Sequence, residues 1–416
     1  MNRIATLCCT LLILASAAPC QIQPTFFSMG VSSTADMPKV SYGTISHPPA
    51  GWTTIEGAGR GVYTFRAMDQ FVKNAPKDAN GVAQLVIDLG GWTPGWAVAD
   101  HTGCITNKLK VVACTIPPDN IQDWIDYVYT VVNHYNGKTA PHVKCYEIWV
   151  EASNPEFWTG TTAQMLPLAQ AAYTAAKRDP YAEVLTPSVV WSNGVRWMTN
   201  YLKLGGGTYA DGLSFHGYPS ETGKGRVRPV PLPESPASTN APIMTMITTF
   251  RGLADTYGML GKPIMTTEGG WGVNGVSDSD MQTAWITHFE VLQAGLAAAN
   301  NLQFQTWYSW GELALSGTIE TKTGTPTPAG YAYDVVQGWL VGQQPQPCTS
   351  SGNIWSCTVG ANVIVWDTSQ SCSAGLCTSS TYSAPSGYTQ YVDVTGTSYP
   401  ITGAISLGVK PIMLEP

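Results

Sequence analysis

The chain has 416 residues, and only 12% of them are charged, about half the ~25% usual in soluble proteins; this excludes a coiled coil, a long charged helix and a charge-driven disordered chain. A formal net charge of −7 leaves no basic footprint for a nucleic-acid backbone. The 15 Trp and 19 Tyr supply ring faces that suit either a sugar or an ordinary core.

Residues 1–20 read as a secretory signal. Asn2-Arg3 gives a short positive start, Ile4–Ala15 an apolar run, and Ala15-Ser16-Ala17-Ala18 a small-residue cleavage region, placing the cut at 17–21. Cys20 raises a lipoprotein alternative, but the Ala-Ala-Pro before it lacks the larger apolar residue expected there. No later run of ~20 apolar residues is present, so no membrane-spanning segment is expected. The chain is therefore expected to be secreted, where disulfides are permitted.

From Gln21 to Gly338, short β-rich runs alternate with helical patterns. Eight strands are expected, at 25–30, 40–46, 83–89, 144–150, 182–187, 212–216, 263–267 and 303–309. Several are continuously apolar, as strands covered on both faces are. The clearest helix follows Pro117-Pro118-Asp119, where Ile121, Trp124, Ile125, Val128, Val131, Val132 and Tyr135 recur at three- and four-residue steps. Helices are also expected at 162–177, 193–204, 241–257 and 280–299, while the link 31–39 is too short for one. This pattern predicts a (β/α)8 TIM barrel over 21–338, with an open doubly wound sheet as the alternative. No Gly-x-Gly-x-x-Gly follows an early strand, so no dinucleotide cofactor is implied. Residues 226–239 are Pro-rich and read as a loop over one end of the barrel. After Trp339 the helical period stops, and short β-prone runs (354–358, 363–367, 390–394, 404–409) predict a small all-β sandwich over 339–416.

Seven cysteines lie beyond the signal. Cys104 and Cys114 are placed to pair. Cys348, Cys357, Cys372 and Cys377 allow two bridges in three connectivities. Cys145, inside an apolar strand, reads as a buried thiol. Without Cys-x-x-Cys or His-x-x-x-His spacing, no metal site is indicated.

Active sites of barrel enzymes form at the C-terminal strand ends. Glu151 closes the fourth expected strand and Glu268 the seventh. Two such carboxyl groups suit glycosidic chemistry, one as proton donor and the other as nucleophile or base. Glu147, four residues before Glu151, reads as structural. His216, at the end of the sixth strand, suits a sugar hydroxyl, a carboxylate or a core role. Tyr218 and Trp307 are candidate subsite walls, and Trp92 and Trp96 either a stacking platform or loop anchors. His47 and Asn154 are candidate ligand contacts, and Glu312 a rival carboxylate. His101, His134, His142 and His288 read as surface or helix residues.

The run Tyr146–Trp158 (YEIWVEASNPEFW) resembles the acid/base strand of clan A glycoside hydrolases, most of all family 39 and its relatives. Phe215-His216-Gly217-Tyr218-Pro219, Thr267-Glu268-Gly269-Gly270-Trp271, Trp307-Tyr308-Ser309-Trp310 and 327–333 resemble further segments of that group. The resemblance implies a retaining hydrolase, with Glu151 as acid/base and Glu268 as nucleophile. It also implies a carbohydrate substrate and no cofactor; the oligomeric state stays open. One departure stands out. The family carries Asn then Glu then Pro, whereas this chain has Val150, Glu151 and Ala152. Valine cannot hydrogen-bond the sugar. Three readings follow: another group takes that hydroxyl, a different sugar is preferred, or the chain is a weakened or purely carbohydrate-binding relative. An esterase is not supported, because no Gly-x-Ser-x-Gly turn is present.

Overall fold

The computed structural model describes residues 21–48, 50–107, 110–220, 230–272, 275–311 and 319–416. The signal segment, Glu312 and positions 226–229 of the Pro-rich loop lie outside them. All eight barrel strands form: β1 Phe27–Val31, β2 Thr44–Ser46, β3 Ala83–Asp88, β4 Val143–Glu147, β5 Glu183–Leu185, β6 Leu213–Gly217, β7 Ile264–Gly269 and β8 Leu302–Trp310. They pair in parallel in the order β5-β4-β3-β2-β1-β8-β7-β6. A parallel bridge from Leu185 to Gly212, just before β6, closes the ring. The closed barrel therefore replaces the open-sheet alternative.

Among the described residues, seven helices of nine residues or more surround it, besides a single helical turn at Trp52–Ile55: α1 Arg66–Asn74, α2 Ile121–His134, α3 Thr162–Ala176, α4 Trp191–Lys203, α5 Ile243–Thr256, α6 Ser279–Asn300 and α7 Pro328–Leu340. Among the described residues, only the β1–β2 link lacks one. In α2 the Asn120 side chain caps the start by accepting from the Gln122 N–H. The buried face of α2 runs through Trp124, Tyr127, Val128, Val131 and Val132, while Ile121 is exposed. Ile121 sits on the rim of the stripe, and Tyr127 takes the place that the spacing had given it. The long α6 is buried over most of its length, because α7 packs on one side and the C-terminal strands on another.

The barrel interior is layered. Val86, Cys145, Leu185, Met265 and Phe304 form an apolar layer toward the strand starts. One strand period further along, the side chains become polar. Ser46 Oγ lies 2.9 Å from Ser28 Oγ and 3.0 Å from Thr306 Oγ1. Ser214 Oγ lies 2.8 Å from Thr267 Oγ1 and donates to Glu147. Glu147 thus braces β4 to β6 and β7, as its structural reading anticipated.

Beyond α7, ten short strands follow: β9 Thr349–Ser351, β10 Ile354–Val359, β11 Asn362–Asp367, β12 Cys372–Ser373, β13 Leu376–Cys377, β14 Ser380–Tyr382, β15 Gln390–Asp393, β16 Ser398–Pro400, β17 Ile405–Leu407 and β18 Ile412–Glu415. A six-stranded antiparallel sheet runs β9-β10-β11-β18-β15-β16, and β14 pairs with β17. Val365, Leu407, Ile412 and Leu414 pack the two together. The disulfides join Cys104–Cys114, Cys348–Cys357 and Cys372–Cys377, each pair being nearest neighbours in sequence, and Cys145 is a buried free thiol.

His288 is a helix residue, in α6, and not a surface one. It is fully buried rather than superficial, with Nδ1 2.9 Å from Glu234 Oε1 and Nε2 2.8 Å from the Val409 carbonyl. The Trp366 indole also donates to Glu234 Oε1, so this carboxylate fastens α6 to the C-terminal strands. The described part of the Pro-rich stretch is therefore wedged against α6 instead of lying only over the barrel end.

Candidate active site

β4 ends at Glu147, so Glu151 lies in a turn beyond the strand, not on it. Its backbone is left-handed, with φ 44°, a conformation uncommon for a residue with a side chain. Local bonds hold the turn. The Val150 N–H donates to the Gly90 carbonyl, the Glu151 N–H to Ser188 Oγ and the Ala152 N–H to the Ser188 carbonyl. Gly90 has to be glycine, because a Cβ there would come within 2.1 Å of the Trp149 ring. Glu268 sits on β7 itself. The pairing of β7 with β6 slips between Thr266 and Glu268. That irregularity lets Thr267 face the interior hydroxyl layer while Glu268, the next residue, still reaches the site.

The two carboxylates meet at one imidazole. His216 Nδ1 lies 2.8 Å from Glu151 Oε1 and 3.4 Å from Glu268 Oε2. Asn154 Nδ2 donates to the other Glu151 oxygen over 2.7 Å, and Tyr218 Oη donates to Glu268 Oε2 over 2.7 Å. His47 Nε2 lies 3.4 Å from Glu268 Oε1, and its Nδ1 lies 2.6 Å from Asp88 Oδ2.

Burial pushes the Glu151 carboxyl up, but the His216 and Asn154 contacts outweigh it and leave it below the usual carboxylate range. Burial would strip the proton from His47; Asp88 and then Glu268 reverse that and push it up to about 10. His216 is likewise raised against its burial by Glu268 and Glu151. Burial, then the Glu268 charge, keeps the Tyr218 hydroxyl protonated. Beneath them Glu147 is raised to about 7, by burial and by Asp88. Donor atoms of His47, His216 and Glu268 lie within 4.8 Å of one another, as metal ligands would. Protons on both raised imidazoles oppose a cation there.

Glu151, Asn154, Tyr218 and Glu268 line a cavity of about 420 Å³, together with Phe157, Val190, Ser192, Asn193 and Tyr308. His216 and His47 lie under its floor. Trp92 stands behind the wall, packed 4.8 Å from Phe157, with its indole donating to the Glu156 carbonyl. Trp92 therefore does not line the cavity, and neither do two more candidates. Trp96 donates to the Glu56 carbonyl and packs edge-on to Trp52. Trp307 is fully buried against Trp271, Trp285 and Phe289. Strand alternation explains this: Thr306 points inward, so Trp307 points out to α6 and Tyr308 returns to the site. Asp88, Ser188 and Tyr308 were missed. Asp88 carried a signal, since it is an acidic residue ending an apolar strand, as Glu268 does.

No protein-family model matches the sequence, and no curated protein matches it. The fold does have relatives. A family 39 glycoside hydrolase from the gut symbiont Bacteroides cellulosilyticus WH2 superposes with a TM-score of 0.68 at 17% identity, over 94% of this chain and 81% of that one. A monomeric beta-xylosidase from Caulobacter crescentus CB15 gives 0.62 at 16% identity, over 95% and 97%. The family 39 enzyme from Xanthomonas axonopodis pv. citri gives 0.63 at 14% identity, over 95% of each chain. In its fold, a closed barrel followed by an antiparallel β unit, this chain is similar to the family 39 glycoside hydrolases of clan A.

Proposed function

We propose that the protein is an exported retaining glycoside hydrolase, with Glu151 as acid/base and Glu268 as nucleophile. One observation carries the reading. A single nitrogen, His216 Nδ1, is 2.8 Å from an oxygen of one glutamate and 3.4 Å from an oxygen of the other. Those two oxygens therefore lie within about 6 Å of each other, near enough for both carboxyl groups to act on one glycosidic bond and in keeping with the close pair of a retaining enzyme. Glu151, once protonated, gives its proton to the leaving oxygen while Glu268 attacks the anomeric carbon. Water, deprotonated by Glu151, then cleaves the glycosyl ester and restores Glu268. Tyr218 and His47 hold Glu268 as an oriented anion in a site with little solvent.

The three disulfides accord with export. One of the fold relatives is named a beta-xylosidase, so aryl xylosides and arabinosides are the first substrates to try. The test compares wild type with Glu151→Ala and Glu268→Ala across aryl glycosides. Both variants are expected to lose most turnover, and azide to restore part of it in one of them. Val150 favours a second reading, a carbohydrate-binding protein without turnover. Wild type that binds oligosaccharide and hydrolyses no glycoside would establish it.

A further inference from the structure

We propose that Asp88 is a positioning residue for this reaction, acting through His47 to fix a positive charge against Glu268. The proposal rests on the nucleophile reading of Glu268 and adds to it the group that sets the nucleophile's surroundings.

Asp88 is the last residue of β3, and His47 directly follows β2. The 2.6 Å contact between them is the closest ion pair in the site, and their side chains are 11% and 8% exposed. Solvent screens such a pair little. The opposite edge of the same ring faces Glu268 Oε1 at 3.4 Å. The imidazole therefore stands between two carboxylates, one nitrogen to each.

The backbone supports the same reading. His47 has φ 50°, left-handed, a strained conformation that persists only where the surroundings impose it. His216 and Tyr308 pack against the ring at centroid distances of 5.5 and 5.8 Å, both at right angles, which limits its rotation. An orienting carboxylate on Nδ1 and a second carboxylate near Nε2 place the ring between two negative charges. A charge clamp needs both.

The groups facing His47 are Asp88 on β3, Glu147 on β4, His216 on β6, Glu268 on β7 and Tyr308 on β8. Burial alone would leave the ring neutral, and Asp88 is the strongest of the charges that oppose it. Replacing Asp88 by its uncharged isostere removes the largest of those charges and leaves burial opposed only by Glu268 and Glu147, so His47 gives up its proton at lower pH than in wild type. Glu268 would then face a neutral ring over more of the pH range.

The experiment uses wild type, Asp88→Asn, His47→Gln and the double variant. Two readouts are taken: the pH profile of kcat/KM on an aryl glycoside, and the charge of the six histidines by nitrogen-15 NMR. In wild type, the His47 imidazole, assigned by its absence from the His47→Gln spectrum, should keep both protons up to about pH 9, and Asp88→Asn should lose that signal by pH 8. The low-pH limb of kcat/KM should move up by roughly one unit in either single variant, and the double variant should add nothing further. A His47 imidazole as fully charged in Asp88→Asn as in wild type, or an unmoved limb with only a lower kcat, overturns the proposal. Should wild type hydrolyse no glycoside, the function is refuted, and the histidine spectra still decide the Asp88–His47 relation. Should Asp88→Asn fail to fold by circular dichroism, the limb shift in His47→Gln decides.

Discussion

Tyr218 donates its hydroxyl hydrogen to Glu268 Oε2 over 2.7 Å, inside a site where the carboxylate is only 13% exposed. Such a bond to a charged, poorly solvated oxygen is among the stronger ones a protein makes. In the proposed mechanism it ties down Oε2 and leaves Oε1 to attack. Tyr218→Phe removes that bond and little volume. A fall in kcat/KM of roughly 10- to 100-fold is expected, with the melting temperature moved by no more than about 4 °C. Unchanged kinetics on aryl glycosides would remove Tyr218 from the machinery.

The His216 and Asn154 contacts give the free protein an acid-shifted Glu151. A general acid works only while it holds its proton. The high-pH limb of kcat/KM reports the acid in the free enzyme, so activity should fall as pH rises through the lowered Glu151 titration, giving an acidic optimum. Asn154→Ala deletes one bond that favours the carboxylate, and this limb should then move to higher pH. A shift to lower pH, or none, would assign the limb to another group.

Much of this was legible in the sequence, for identifiable reasons. The eight strands showed because strands buried on both faces are written as apolar runs, and the two glutamates because strand ends in such a fold converge on one face. What stayed hidden depends on geometry that spacing does not encode. Glu151 reaches the site through a left-handed turn after β4, and Glu268 through an irregularity in β7. Trp307 looked like a wall residue because its ring suits sugar, but its parity relative to Thr306 turns it to α6. The Glu234–His288 pair spans 54 residues of chain, and neither residue carries a local pattern that names the other.

Glu147 links the interior to pH. Its carboxyl is raised from an ordinary 4.5 to about 7, so folding takes up a proton in that window. The stability it contributes is complete below about pH 4.5 and is lost as pH rises to about 7, roughly 3 kcal/mol in all. Glu147→Gln keeps an acceptor for Ser214 and cannot ionise. Urea midpoints at pH 4.5 and pH 8 should differ less in the variant than in wild type. An equal difference in both proteins would place the pH dependence elsewhere.

Glu234 behaves in the opposite sense. Burial raises it, but His288 and Trp366 outweigh that and hold it below the usual carboxylate range. Its stabilisation is present above the ordinary carboxylate pKa and disappears as pH falls through the lowered value. Glu234→Gln leaves His288 without its charged partner and should cost about 3–5 kcal/mol at neutral pH. Its stability should also fall less steeply than that of wild type between pH 5 and 3. Chemical denaturation at both ends of that range tests the two statements separately.

Val150 is the departure from the resemblance that bears most directly on turnover. Its Cγ1 lies 2.8 Å from where a Cβ on Gly91 would stand, so the side chain packs on the β3 loop. The cavity rim nevertheless carries other polar groups. Ser192 and Asn193, in the first turn of α4, line it beside Glu151 and Asn154. A sugar hydroxyl near Glu151 thus has amide and hydroxyl partners without residue 150. Val150→Asn is expected to leave kcat/KM within about threefold, while Asn193→Ala lowers it about tenfold, the worth of one hydrogen bond. The reverse pattern, a tenfold gain from Val150→Asn and no effect at Asn193, would mean that valine has removed a contact nothing replaces, and that the catalytic pair works below its capacity in this chain.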